Sequence, residues 1–375
     1  MAHSMRVAGL RFLLACSASL AGLLPAAAQN CSLKLLNSVP LAVTDNIATV
    51  PGIVGTKEKQ FQFDTAALDN QMGKDAVTDF GLAAVDFVPS NTDGGAGGFS
   101  AGRQSGTGID GSSTGRATFG SAAGTGGNAI AIFNAKGVMF HSWADAKDFV
   151  LGSMQTPHLQ FVITDFPKPG SGGIISAGFF AKYDLDLNFW AHQLNMFAPD
   201  HCKGQVVYWR APGVAKLPIR YLNGRIIVRA SVDGKEMDAV IDTGSPRSEM
   251  QITDAGRLFD ISASSPGVTP AGDGLYAYNF KTLSFGTVSI DNPHLVMTRP
   301  TSVRGVDPAP PTGSLIRANA VATDQPALVI GTDLLKLLHI YIAFNERTLY
   351  VTQGSELPDG DAKALPVVDV TPFRP

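Results

Sequence analysis

The sequence predicts an all-β protein built from two copies of one domain, and three observations predict it. Only 16% of the 375 residues are charged, 45% are apolar, and 40 are glycine. Few charges, much Gly and Thr, and short apolar runs point to strands and turns rather than helices. Tight-turn dipeptides separate apolar runs, as at Asp233-Gly234 within "RIIVRASVDGKEMDAVIDTG", which reads as a hairpin. The third observation is a repeat: separate blocks recur in the same order in the two halves of the chain.

Taken in order, the first block is "TVPGIVGTKEKQFQFDT", which ends on Asp64-Thr65. Its counterpart lies 178 positions later and ends on Asp242-Thr243 (242 − 64). Each reads as strand, turn, strand, with the acid where the second strand runs out. A short helix is expected after each, in "DAVTDFGL" and "TDAGRLFDI". The second block, "KDFVLGSMQTPHLQFVIT", parallels "KTLSFGTVSIDNPHLVMT". The third, "GIISAGFFAKYDLDLNFWAHQLNMF", parallels "LVIGTDLLKLLHIYIAFNERTLYV", with a helix expected at "DLLKLLH". Chance alone would give one such match, hardly three in order. The period is far longer than the roughly 20–50 residues of solenoid repeats, so the chain is a duplicated domain. The copies run from about residue 31 to 203 and from about 204 to 356, meeting at "APDHCKGQVVYWRAPG".

Ahead of the first copy, Arg6 and Arg11 precede "FLLACSASLAGLL" and the small residues of "PAAAQN". This is the pattern of a signal peptide, expected over residues 1–28 with cleavage after Ala28. A buried N-terminal helix is the bland alternative. Cys16 in "LLAC" sits too close to Arg11 for a lipoprotein site. The apolar run is shorter than the roughly 20 residues of a membrane span, and no later segment is long enough. The mature protein is therefore expected to be exported, periplasmic or extracellular. Net charge is −3 over the whole chain, and no basic run suggests nucleic acid. Without Cys16, Cys31 and Cys202 remain. Export permits a disulfide between them, the alternative being two free thiols.

One Asp-Thr turn is ordinary turn chemistry. Two of them, each closing a strand and opening a helix in equivalent places, are not. If the copies pack about a pseudo-twofold axis, Asp64 and Asp242 face each other. Two such carboxylates share one proton and can hold a water, which the ionised member deprotonates while the other polarises a carbonyl.

Asp242-Thr243-Gly244-Ser245, the apolar-apolar-Gly "VIG" at 329–331, the connector "DHCKGQVVYW" and the duplication together resemble the aspartic proteases, and more closely the retropepsin-like domains of exported bacterial proteins. The resemblance covers nearly all of the mature chain. It implies two six-stranded closed barrels with a cleft between them, a covering flap, and Asp64 and Asp242 as the dyad, braced by Thr65 and Thr243. The implied activity is aspartic-type endopeptidase cleavage of a peptide or protein substrate, with no metal and no cofactor.

The first copy departs from the pattern. Ala66 stands where Gly is expected, and Ser176 where the second copy has Gly331. A peptide-binding module without catalysis is the alternative reading of the same fold. Ser245 can donate a hydrogen bond to Asp242 where Ala67 cannot do so for Asp64, which would leave the charge on Asp242 and the proton on Asp64.

Other motifs carry less. "GFSAG" at 98–102 matches a nucleophile pattern, but it lies in a Gly-rich run without the helix that chemistry needs. That segment, 94–115, reads as a mobile cover or as an insertion. In the second copy, the hairpin "TPAGDGLYAYNF" offers Tyr276 and Tyr278 as flap candidates, or as packed hairpin residues. The seven histidines show no metal spacing. His158 and His294 occupy equivalent places in the repeat, which points to a structural role near a strand start. The run from 299 to 326 and the tail 357–375 are Pro-rich and read as exposed loop and loose terminus.

Overall fold

The structure, a computed structural model, describes residues 32–67, 69–86, 132–133, 139–140, 142–222, 225–272, 274–298 and 326–354. The expected signal peptide, Cys31, the Gly-rich segment, most of the second-copy loop and the tail lie outside these residues.

In chain order the first half contributes β1 (Leu35–Pro40), β2 (Ala42–Thr44), β3 (Ile47–Val54), β4 (Lys57–Asp64), β5 (Gln71–Met72), α1 (Lys74–Phe80), β6 (Ala84–Asp86), β7 (Ile132–Phe133), β8 (Met139–Phe140), β9 (Ser142–Leu151), β10 (Met154–Ile163), β11 (Gly173–Ser176), α2 (Ala177–Phe180), β12 (Asp184–Asn188) and β13 (Gln193–Phe197). The second half contributes β14 (Ala215–Pro218), β15 (Arg220–Leu222), β16 (Arg225–Val232), β17 (Lys235–Ile241), β18 (Ser248–Gln251), α3 (Ile252–Phe259), β19 (Thr269–Pro270), β20 (Leu275–Ala277), β21 (Thr282–Phe285), β22 (Val288–Asp291), β23 (Leu295–Thr298), β24 (Leu328–Ile330), α4 (Thr332–Leu335), β25 (Leu338–Ala343) and β26 (Thr348–Gln353). The all-β expectation holds.

In the first half, β3-β4-β11-β5-β10-β9 form a ring of six strands, closed where Ile53 pairs with Val150. Phe61, Phe63, Phe149 and Phe161 fill its interior and are fully buried. Alternation along β4 puts Phe61 and Phe63 inside and Gln62 and Asp64 on the other face.

The second half repeats this ring strand for strand. Ser231 pairs with Ser284 as Ile53 does with Val150. Met250 pairs with Met297 as Met72 does with Ile163. The counterpart of β10 is broken at Asn292–His294 into β22 and β23, where Pro293 cannot donate to a ladder. The two halves are thus related barrels with short helices, and the duplication extends to individual register pairs.

Helices form where expected after each Asp-Thr turn, at α1 and α3. The third is shorter than expected. "DLLKLLH" yields only Thr332–Leu335, because Leu338 and His339 leave it to start β25.

A shared six-stranded sheet, in the order β1-β13-β12-β25-β26-β14, takes three strands from each half. Its centre is the antiparallel β12–β25 pair, Leu185↔Ile342 and Leu187↔Ile340. One face carries Leu185, Leu187, Leu194, Met196, Ile340, Ile342, Leu349 and Val351, which belong to the core shared with both barrels. The other carries Asp184, Asp186, Asn195, His339, Tyr341 and Tyr350. The segment following β13 packs across it, bringing Val206, Tyr208 and Trp209.

Candidate active site

Each site aspartate is placed by a parallel strand pair. In β4, Asp64 lies opposite Ser176 of β11. Asp242 directly follows β17 and donates its N–H to Ile330 at 3.0 Å. These pairings put Ser176 and Gly331 in equivalent places, as the repeat predicts.

The turns meet through their threonines, both fully buried. Thr65 Oγ1 donates to the Ile241 carbonyl at 2.7 Å and accepts from the Thr243 N–H at 3.1 Å. Reciprocally, Thr243 Oγ1 donates to the Phe63 carbonyl at 2.7 Å and accepts from the Thr65 N–H at 3.0 Å. Four buried backbone groups are satisfied by two side chains, each belonging to the opposite half. Without that brace each would carry a desolvation penalty of about 1–3 kcal/mol.

Within each turn the carboxylate is held by its own backbone. Asp64 Oδ1 accepts from the Ala66 and Ala67 N–H groups at 2.8 Å each. Asp242 Oδ1 accepts from Gly244 and Ser245 at 3.0 Å each. The Ala66 methyl therefore leaves the donor in place. Gly244 is required for a different reason. A Cβ there would lie no farther than 2.7 Å from the carboxyl carbon and both oxygens of Asp64. The Asp64 carboxylate thus rests on Gly244, whose own N–H binds Asp242. Gly244 adjoins both acids, which are half-buried.

Ser245 departs from expectation. Its hydroxyl donates to the Arg247 carbonyl at 2.7 Å, so its one proton is not directed at Asp242. Both aspartates then receive the same pair of backbone donors, and the proposed placement of charge on Asp242 loses its basis.

The two apolar-Gly positions are solved differently. A Cβ at Gly331 would overlap the Arg247 carbonyl. The Gly331 N–H donates to Ser248 Oγ at 2.9 Å, and Ser248 donates to Asp333 at 2.6 Å. In the first half Ser176 is tolerated because Asn70 Oδ1 accepts from both its N–H (3.0 Å) and its hydroxyl (3.2 Å). Asn70 and Ser248 each follow their aspartate by six residues, a signal the sequence carried unread. Asp69, beside Asn70, is a third carboxylate on this loop, its pKa pushed up by burial.

Tyr276 and Tyr278 are half-buried and pack against the core. Tyr278 meets Phe280 edge-on at 4.9 Å, the packed-hairpin alternative. His158 Nδ1 pairs with Asp145 at 2.8 Å across the β9–β10 pair, while His294 is exposed. Among the described residues no group of three or more His, Cys, Asp or Glu is arranged to hold a metal ion. Nor is any helix among them long and apolar enough to cross a membrane.

A second polar cluster, unforeseen from sequence, lies on the shared sheet. His201 joins Asp184 at 2.5 Å and Glu346 at 3.4 Å. His339 joins Asp186 at 2.6 Å, stacks on Trp209 at 3.7 Å, and shares that carboxylate with Tyr208 and Asn195. Burial pushes the Asp184 carboxyl up to about 6, against the opposing pull of His201. Its folded pKa exceeds its unfolded one. Its contribution to stability is therefore present below about pH 4 and lost as pH rises through about 6, at no more than roughly 1.4 kcal/mol per pH unit. Urea unfolding of wild type and Asp184→Asn at pH 4 to 7 checks this. The difference in stability, wild type minus variant, is expected to fall over that range; a flat or rising difference contradicts it.

No family model matches the chain, and no curated protein matches it. Among solved structures, the chain is similar to an aspartic proteinase from Irpex lacteus, with a TM-score of 0.44 and 12% identity over 85% of this chain and 97% of that one.

Proposed function

We propose that the protein is an aspartic-type endopeptidase, hydrolysing peptide bonds with a water activated between Asp64 and Asp242. The observation that carries this is the reciprocal threonine brace. It spends four buried hydrogen bonds on setting two Asp-Thr turns against each other, with Gly244 stripped of a side chain where the Asp64 carboxylate rests. A structural role for two surface turns gives no reason for that arrangement. Thr65, Thr243 and Gly244 position the acids, and Ser245 supports Asp242 through its N–H. Tyr276 and Tyr278, packed on the hairpin of the second half, are the flap candidates in this reading.

In this reading the lobes are residues 31–203 and 204–356, a signal peptide of residues 1–28 directs export, and the mature enzyme acts in the periplasm or outside the cell. A Cys31–Cys202 disulfide belongs to the same proposal. It is supported by the Ala198 N–H donating to the Lys34 carbonyl at 2.9 Å, close in sequence to both cysteines.

A binding module on the same fold is the second reading, favoured by the methyl of Ala66 beside the dyad. Cleavage of a mixed peptide library across pH 3 to 8, with and without a statine-type transition-state mimic, separates the two. The peptidase reading expects acid-shifted, inhibitable turnover. Saturable binding of peptide without turnover at any pH supports the module.

A further inference from the structure

The two turns are braced alike by threonine, yet one carries an extra bond. Gln62 and Asp64 lie on the same face of β4, which looks toward the other half. The Gln62 side chain reaches across, its Nε2 donating to the Gly244 carbonyl at 3.2 Å. The acceptor is a carbonyl, so only the amide nitrogen can make this bond. The equivalent of Gln62 in the second half is Val240 (62 + 178), which has no donor to offer. The Gly244 peptide is thus held at both ends: its N–H by Asp242 and its carbonyl by Gln62.

This one-sided bond falls where the twofold relation is broken. Position 66 is the counterpart of Gly244 and carries a methyl group. Gly244 has no room for one, because the Asp64 carboxylate occupies that space. By the same relation Ala66 carries its methyl group at the place equivalent to the one the Asp64 carboxylate leaves no room for at Gly244. Gln62 reaches the Gly244 turn from the opposite half.

We propose that Gln62 is a positioning residue, holding the Gly244 peptide so that the Asp242 turn keeps its place against Asp64 despite the Ala66 methyl. It acts through Gly244 and touches no reacting atom. The inference rests on Asp64 and Asp242 working as a pair.

The test compares Gln62→Met, which keeps length and removes the donor, with Gln62→Glu, each alone and with Ala66→Gly. In the wild-type background Gln62→Met is expected to lower kcat about tenfold with little change in KM, the worth of one hydrogen bond spent on positioning. With Ala66→Gly the same change is expected to cost clearly less. Gln62→Glu donates only when protonated, so it is expected to recover toward wild type at the acid end of the profile. Equal kcat in wild type and Gln62→Met, or equal losses in both backgrounds, overturns the proposal.

Should wild type cleave nothing, the peptidase reading fails and a second readout still decides. The 13C carboxyl resonances of Asp64 and Asp242 are followed against pH in wild type and Gln62→Met. Altered coupling between the two titrations supports the proposal, and superimposable curves overturn it.

Discussion

Asp242→Asn is expected to abolish peptide cleavage while leaving the fold intact. The amide is isosteric, and its oxygen still accepts from the Gly244 and Ser245 N–H groups that hold the carboxylate at 3.0 Å. What is lost is the ability to take a proton from water and return it. General acid–base catalysis contributes about 10²–10⁴-fold, and a fall in kcat of at least that order is expected at the pH optimum. Peptide affinity, measured with an intact substrate peptide, is expected to fall much less than kcat, because contacts away from the two acids are unchanged. Cleavage by Asp242→Asn at the wild-type rate would place the activity elsewhere or in a contaminant. The same substitution at Asp64 is expected to give the same loss, since the two acids have equivalent backbone partners and neither suffices alone.

The largest expected effect on stability comes from the shared sheet. In His339→Leu the Asp186 carboxylate, fully buried, loses its partner at 2.6 Å, and Trp209 loses the ring it stacks on. Leaving a buried polar group without one of its hydrogen-bond partners costs about 1–3 kcal/mol. Tyr208 and Asn195 still donate to the other oxygen of Asp186, so a loss of about 2 kcal/mol is expected. Urea denaturation at pH 7 measures it. The double variant Asp186→Asn with His339→Leu is expected to lose less than the sum of the two single changes, because both single changes remove the same contact. Strict additivity would show that the pair does not interact as its geometry implies.

How much of this was legible in the sequence depends on which forces set each feature. The two Asp-Thr turns and their barrels were legible because strand alternation and turn residues are local, and because duplication let each half check the other. Gly55 and Asp233-Gly234 mark hairpin turns in both copies, each with positive φ. The shortened α4 was not legible. "DLLKLLH" is a good helix former in isolation, but Leu338 and His339 pair across β12 and β26, where burial of the strand outweighs local propensity. The partner of the Ser245 hydroxyl was not legible, because the geometry of the turn, which directs it to the Arg247 carbonyl, is not written in the residue types. The His–carboxylate cluster escaped because its members come from "DLDL", β13, the connector, "LHIYIA" and the turn at Glu346, which become neighbours only when the shared sheet forms. In hindsight the alternation Asp184, Leu185, Asp186, Leu187 announced a strand with one polar buried face, a pattern that calls for partners.

The symmetry of that sheet has a consequence for the origin of the molecule. Its strand order reads the same from either end under exchange of the halves, β1 for β14, β13 for β26 and β12 for β25. A chain cut at the connector would leave each half with an open strand edge, β12 on one and β25 on the other, whose hydrogen-bonding groups seek a mate. Two copies of a single half, joined edge to edge, would rebuild the same sheet and bring two identical Asp-Thr turns face to face. The present chain has the form of such an isologous dimer fused end to end. In one chain the two halves are free to differ, as they do at Ala66 and Gly244 and at Gln62 and Val240.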